Sequence, residues 1–170
     1  MKFNEFQIYQ NKVLGAHILW EFSKAFYLNR ANDKPVSEEE LYPSIFYLLP
    51  VLPLCLNSRV VEGIRSRNLR EGSIIRALDE SKDLFSGLQA RMENLADVTL
   101  ESIYVAHVST LVIFDREKMI VIPNLSSLPN RVEKKLHKDY KDMLAASRRL
   151  GYWFSKLSMS EILMYFNISF

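Results

Sequence analysis

Between positions 11 and 28 the chain has no proline, and Leu14, Ile18, Phe22, Ala25 and Phe26 recur three or four residues apart, which is one face of an α-helix. Leu19, Trp20 and Tyr27 widen the apolar surface beyond one stripe, so this helix is expected to lie centrally with neighbours on several sides. A polar loop follows over 29–36. Ser37 with Glu40 then has the spacing of a capping box, in which each side chain satisfies a backbone donor left free at a helix start. A second helix is predicted from there into 42–56, broken or kinked by Pro43, Pro50 and Pro53, each of which lacks a backbone donor. Asn57 or Ser58 caps a further helix with Val60, Val61 and Ile64 on one side and Arg59, Arg65 and Arg67 elsewhere. Short helices are predicted over 73–78 and 84–95, separated by a polar stretch at 79–83. Asp97 or Thr99 is expected to cap another over 100–108, whose apolar face is Leu100, Ile103, Tyr104 and Val108.

The period then changes. Leu111-Val-Ile-Phe114 and Met119-Ile-Val-Ile122 read as two β-rich runs across the tip Asp115-Arg-Glu-Lys118, and Pro123 ends the second strand. After a turn at Leu128-Pro-Asn130, the clearest helix covers 131–157: Val132, Leu136, Tyr140, Met143, Ser147, Leu150 and Phe154 form its inner face. Lys134, Lys138, Lys141 and Arg148 make a basic stripe on a different face. Ser158 with Glu161 repeats the capping-box spacing before a short apolar helix at 162–166. The fold class is mainly α with one β-hairpin near 111–122, an α+β helical domain occupying 1–170. Helices followed by a single hairpin are also the local pattern of a winged helix, which other α+β folds share.

Composition supports this reading. Of 170 residues, 48% are hydrophobic, enough for one core without disulfides or metal. A formal charge of +2 creates no global field, so any DNA contact has to be local. Cys55 is the only cysteine and sits in the apolar run 45–56, where a thiol behaves as a small hydrophobe. That run falls short of the roughly 20 residues of a membrane span and is interrupted by Pro50 and Pro53. The first residues, Met1-Lys-Phe-Asn-Glu-Phe6, lack the continuous apolar stretch of a signal peptide, so a cytoplasmic location is expected.

Recognisable catalytic chemistry is missing. The five glycines are isolated, leaving no phosphate-cradling loop. His17, His107 and His137 have no partners at metal-ligand spacing, and Cys55 has no adjacent base. No catalytic residue, metal or cofactor is therefore expected, and the chain is not expected to be an enzyme. Glu80-x-Lys82 and Asp139-x-Lys141 resemble the carboxylate and lysine pair of metal-dependent nucleases, but both fall in charge-rich helical surroundings and read as solvated faces.

The remaining candidates are contact residues. Arg59, Arg65, Arg67, Arg70 and Arg76, with the stripe Lys134, Lys138, Lys141 and Arg148, can neutralise phosphates, dock an acidic protein or simply face solvent. Trp20 and Tyr27 lie off the best core stripe. Trp153 and the Met164-Tyr-Phe166 tail place large aromatics near a chain end, where they serve either the core or an interface, with Trp153 and Phe166 as candidate anchors.

The order of these segments resembles the small middle component of bacterial three-component ABC systems, a group overlapping the Lamassu defence systems. The residues that carry the resemblance are Leu14-Gly-Ala-His-Ile-Leu-Trp-Glu-Phe22, the proline-broken Pro43-Ser-Ile-Phe-Tyr-Leu-Leu-Pro-Val-Leu-Pro-Leu54, the helix before the hairpin, and Arg148-Arg-Leu-Gly-Tyr-Trp-Phe154 followed by the terminal Ile162-Leu-Met-Tyr-Phe166. Where that family often carries a glycine-rich or more polar hairpin tip, this chain has Asp115-Arg-Glu-Lys118, and it has a polar insertion over 31–39. The resemblance implies a subunit without its own active site. It would adapt an SMC-like ABC ATPase, which senses DNA, to an effector subunit, often a nuclease, and DNA would be met through the complex. The alternative that the residues themselves leave open is a winged-helix-like DNA-binding regulator or DNA-contacting subunit.

Overall fold

The computed structural model describes residues 11–32, 37–67, 76, 85–126 and 137–170. Its elements are α1 (Lys12–Arg30), a 3-10 turn (Glu39–Leu41), α2 (Ile45–Leu48), α3 (Val51–Cys55), α4 (Ser58–Arg65), α5 (Leu88–Val108), β1 (Val112–Asp115), β2 (Ile120–Pro123), α6 (Lys138–Ser155) and α7 (Met159–Phe166). The expected mainly helical fold with one antiparallel hairpin is observed. The short helix predicted over 73–78, the polar stretch at 79–83, the turn at 128–130 and the first residues of the 131–157 helix lie outside the described residues, apart from Arg76.

Helix α1 is central, as its wide apolar surface predicts. Asn11 caps it, accepting the Leu14 amide at 2.9 Å, and the helix packs on α3, α5, α6 and β2. Its closest neighbour is α6, and the two run side by side in the same direction. Ser147 donates its hydroxyl to the Ile18 carbonyl at 2.6 Å, Gly151 lies against Phe22, and Arg30 donates to the Ser155 carbonyl at 2.6 Å. Residues one turn apart on α6 are small here, which brings the backbones together. Phe22, Phe26, Tyr47, Phe154 and Phe166 interlock edge-on or tilted in the space beside this crossing.

Two predicted helices take other forms. The Ser37 and Glu40 pair forms only half of a capping box: the Ser37 amide donates to Glu40 at 3.0 Å, and one 3-10 turn follows instead of a helix. Tyr42 precedes Pro43 and is pushed to extended backbone (φ −110°, ψ 144°). The chain then pairs with the hairpin: the Val121 amide donates to the Pro43 carbonyl at 3.0 Å, Ser44 bridges Ile120, and the Ile45 amide donates to the Met119 carbonyl at 2.9 Å. The proline-broken run splits as expected. Pro50 stands at the N-cap of α3, and Pro53 sits in its first turn, where a missing amide does no harm. The run Ile45–Cys55 and α4 meet at 102°, and among the described residues no single helix is long and apolar enough to cross a membrane.

The second difference is α5. The separate helices expected over 84–95 and 100–108 are one helix of 21 residues, entered through Gly87 in the left-handed region (φ +69°). Thr99 is not a cap but lies buried inside the helix, donating its hydroxyl to the Leu95 carbonyl at 2.8 Å. The inner face consists of Leu88, Met92, Leu95, Thr99, Ser102, Ile103 and Ala106. Small and hydroxylated residues face α1, where a β-carbon on Gly15 would fall 2.2 Å from the Ser102 hydroxyl. The hairpin keeps the expected strands within a residue, in the register Ile113 opposite Ile122. Its tip is held by Asp115, which accepts the amides of Glu117 and Lys118 at 3.0 and 3.1 Å.

Candidate partner interface

The structure divides the basic residues singled out in the sequence. Arg59, Lys138 and Lys141 are exposed on α4 and at the start of α6, and Arg76 is exposed. Arg65 pairs with Asp142 at 2.7 Å. Arg67 is half-buried, and its carbonyl accepts the Arg149 guanidinium. Arg148 lies two turns along α6 from Lys141, but its guanidinium turns to Glu21, donating through Nε at 2.7 Å and through a terminal nitrogen at 3.4 Å. Arg70 and Lys134 lie outside the described residues.

The two basic segments do meet. Arg65 and Lys138 flank a groove of 280 Å³ whose other walls include Glu62, Asp139, Asp142, Val61 and Met143. Three carboxylates therefore face two cations, so the patch that reads as basic along the chain is locally neutralised in space. Asp139 and Lys141, one of the nuclease-like pairs, stand exposed in the first turn of α6; Glu80 and Lys82 lie outside the described residues.

Trp153 and Phe166 are core residues, 3% and 4% exposed, and Trp20 is 2% exposed. Neither proposed aromatic anchor is available on the surface of this fold. Trp153 lies on the buried side of α6, and Phe166 packs edge-on against Phe154 and Phe85. Tyr27 is partly covered by stacking on Tyr42, with ring centroids 5.2 Å apart.

Two surfaces were not anticipated. Of the apolar face read from the sequence, Ile103 is buried, while Leu100, Tyr104 and Val108 project outward from α5 at 45%, 62% and 57% exposure. On β1, which packs beside α5, Ile113 is also exposed. Helical spacing alone does not say which of two stripes is inside. The missing signal was Gly15, whose bare backbone admits Ser102 of α5 and so turns Leu100, Tyr104 and Val108 outward.

The second surface is a cleft of 510 Å³ between α1 and α6, lined by Glu21, Lys24, Ala25, Leu28, Asn29, Arg148, Arg149 and Tyr152. Glu21 is 4% exposed, and Arg148 supplies the opposite charge its burial requires. Lys24 Nζ lies 4.4 Å from the centre of the Trp20 ring, a cation–π contact. Behind it, His17 Nδ1 and the Tyr140 hydroxyl are 2.7 Å apart, and burial pushes the Tyr140 phenol above its ordinary pKa.

Among the described residues no three His, Cys, Asp or Glu side chains are placed to hold a metal ion. Cys55 is wholly buried in α3, and burial pushes its thiol pKa up, away from the reactive thiolate. Among the described residues the exposed features thus include an apolar stripe, a charged cleft and a mixed-charge groove.

No curated protein and no solved structure matches the chain. A family model does, over residues 2–170, and its description is ABC-three component (ABC-3C) system Middle Component 3. The segments that carried the sequence resemblance are those that build the α1–α6 crossing, the proline-broken core and the terminal helix, and with the match spanning nearly the whole chain, the protein belongs to the Middle Component 3 family of ABC-three component systems.

Proposed function

We propose that this chain is a non-catalytic cytoplasmic adaptor that docks on an SMC-like ABC ATPase and links it to an effector subunit, often a nuclease, in a bacterial defence complex against phage or plasmids. Membership of a three-component ABC family supports a role beside other components of such a system. The observation that carries the adaptor reading is the outward stripe of α5. Leu100, Tyr104 and Val108 are three large apolar side chains at successive turns of one helix, all exposed, with Ile113 of β1 exposed as well. Such a patch is stabilised by covering it, and an aromatic flanked by aliphatic side chains is a typical interface anchor.

The test is expression with the genomic neighbours, purification through a tag on this chain alone, and identification of the co-eluting proteins by mass spectrometry. Recovery of an SMC-like ATPase supports the adaptor reading; elution as a lone monomer removes it.

A second reading, a DNA-contacting subunit, is favoured by the exposed Arg59, Lys138 and Lys141 beside the α4–α6 groove. It requires salt-dependent binding of duplex DNA by the purified chain, weakened when Lys138 and Lys141 are reversed in charge. Lack of binding at low salt excludes it.

A further inference from the structure

We infer that the cleft between α1 and α6 is a docking site for an acidic, amphipathic segment of a partner protein, one that presents a carboxylate beside an apolar side chain. The inference rests on the adaptor reading and names a surface for it.

Charge carries the argument. Glu21 and Arg148 satisfy one another across the cleft floor, so the charge offered to an incoming group comes from Lys24 and Arg149, both half-buried in the lining. Both are held in place. Arg149 donates to the Arg67 carbonyl, and Lys24 rests over Trp20, itself fixed by its indole N–H donating to the Asn124 carbonyl at 2.8 Å. Cations already ordered lose little side-chain freedom on meeting a carboxylate. The far rim is apolar: Leu28 is 46% exposed and stands one turn from Lys24 on α1, with Tyr152 on the α6 wall. A phosphate backbone is the poorer match, because a duplex offers nothing apolar to cover the exposed Leu28. The cleft holds only a few side chains, the scale of a helix turn or short peptide.

The experiment uses the full chain. Overlapping synthetic peptides tiling the ABC ATPase component of its own system are assayed for binding to unaltered chain and to Lys24→Glu and Leu28→Glu, and the same three proteins are co-purified with the intact ATPase component. Thermal melting checks folding, and Lys24→Gln serves as a milder variant. The expected result is capture of acidic amphipathic peptides, weakened about tenfold or more by each Glu variant and less by Lys24→Gln, with co-purification reduced in parallel. If the ATPase component co-purifies equally with all variants, the cleft assignment is overturned while the adaptor reading stands. If a DNA duplex, and no peptide, loses affinity in the Glu variants, the cleft is a nucleic-acid site and the inference fails. If the unaltered chain recovers no ATPase component, the adaptor reading falls and this inference with it.

Discussion

Gly151 lies directly against the backbone of Phe22. A β-carbon at position 151 would fall 2.5 Å from the Phe22 carbonyl oxygen, 2.8 Å from the Ala25 β-carbon and 3.0 Å from the Phe26 nitrogen. Two of these atoms are backbone and cannot swing aside, so α1 and α6 must separate to admit even one methyl group. Alanine is intrinsically better than glycine inside a helix by about 1 kcal/mol, whereas overpacking of a tight contact costs about 1–3 kcal/mol. Gly151→Ala is therefore expected to destabilise the fold by up to about 2 kcal/mol, a melting temperature lower by up to roughly 8 °C. A melting temperature equal to or above that of the unaltered chain would show that the helices do not cross this closely.

The Glu21–Arg148 pair gives a second expectation. Arg148→Ala leaves a carboxylate that is 4% exposed without its cation. Fully buried pairs broken on one side lose about 3–5 kcal/mol; because the Arg148 side chain is 41% exposed, water reaches the site and about 1–3 kcal/mol is expected. Adding Glu21→Gln should recover part of the loss, so denaturant unfolding of the double variant lies between that of Arg148→Ala and the parent. Strictly additive losses would mean the two side chains act independently.

The outward stripe of α5 should separate stability from association. Leu100→Ser and Tyr104→Ala change exposed positions and are expected to shift unfolding by no more than about 0.5 kcal/mol. Loss of a central aromatic anchor typically weakens a complex by about 2 kcal/mol, roughly 30-fold in Kd. Titration of the ATPase component against each variant measures this. Unchanged affinity for both would place the interface elsewhere on the chain.

The capping box that opens α7 predicts a dependence on acid. The Ser158 amide donates to Glu161 at 2.8 Å, with the Ser158 hydroxyl also at 2.8 Å, and these bonds hold the Glu161 carboxyl below its ordinary pKa of 4.5. A carboxyl harder to protonate when folded contributes stability that is complete above its unfolded pKa and is lost as the pH falls through the folded value. Glu161→Ala should therefore be less stable than the parent near neutral pH, and the gap should narrow as the pH drops below 4.5. Thermal melts at stepped pH show this directly; a gap that widens in acid contradicts the sign.

Much of the architecture was legible in the chain because its strongest signals are local. The α1 apolar face, the Asn57 cap of α4 and the Ser158 box arise from spacings of four residues or fewer, the hairpin from pairs no more than eleven apart, and all appear where expected. Apart from α5, expected as two helices and found as one, what misled was a contact distant in sequence. The Ser37 box failed because Pro43 and Ser44 are drawn to β2, some 75 residues later. The apolar face of α5 splits, Ile103 inward and Leu100, Tyr104 and Val108 outward, because Ser102 packs against Gly15 of α1. The charged stripe of α6 dissolved for the same reason: Arg148 reads as a surface cation until Glu21, from a helix more than 120 residues earlier, takes it up. Of the candidate contact residues the sequence supplied the basic ones of α4 and α6 but neither the α5 stripe nor the α1–α6 cleft, since both are produced by packing.

The indole of Trp20 joins three parts of the molecule: its N–H holds the carbonyl just beyond β2, its face carries Lys24, and its ring lies tilted against His17 beside Tyr140 of α6. The chain thus contains its own optical reporter at the junction of hairpin, cleft and helix pair. Trp153, the other tryptophan, is buried with no hydrogen-bond partner for its N–H among the described residues, and it serves as a second emitter in a drier setting. With Trp153→Phe as background, the emission of Trp20 alone would follow whether the hairpin stays seated on α1 as each partner arrives, without any label attached.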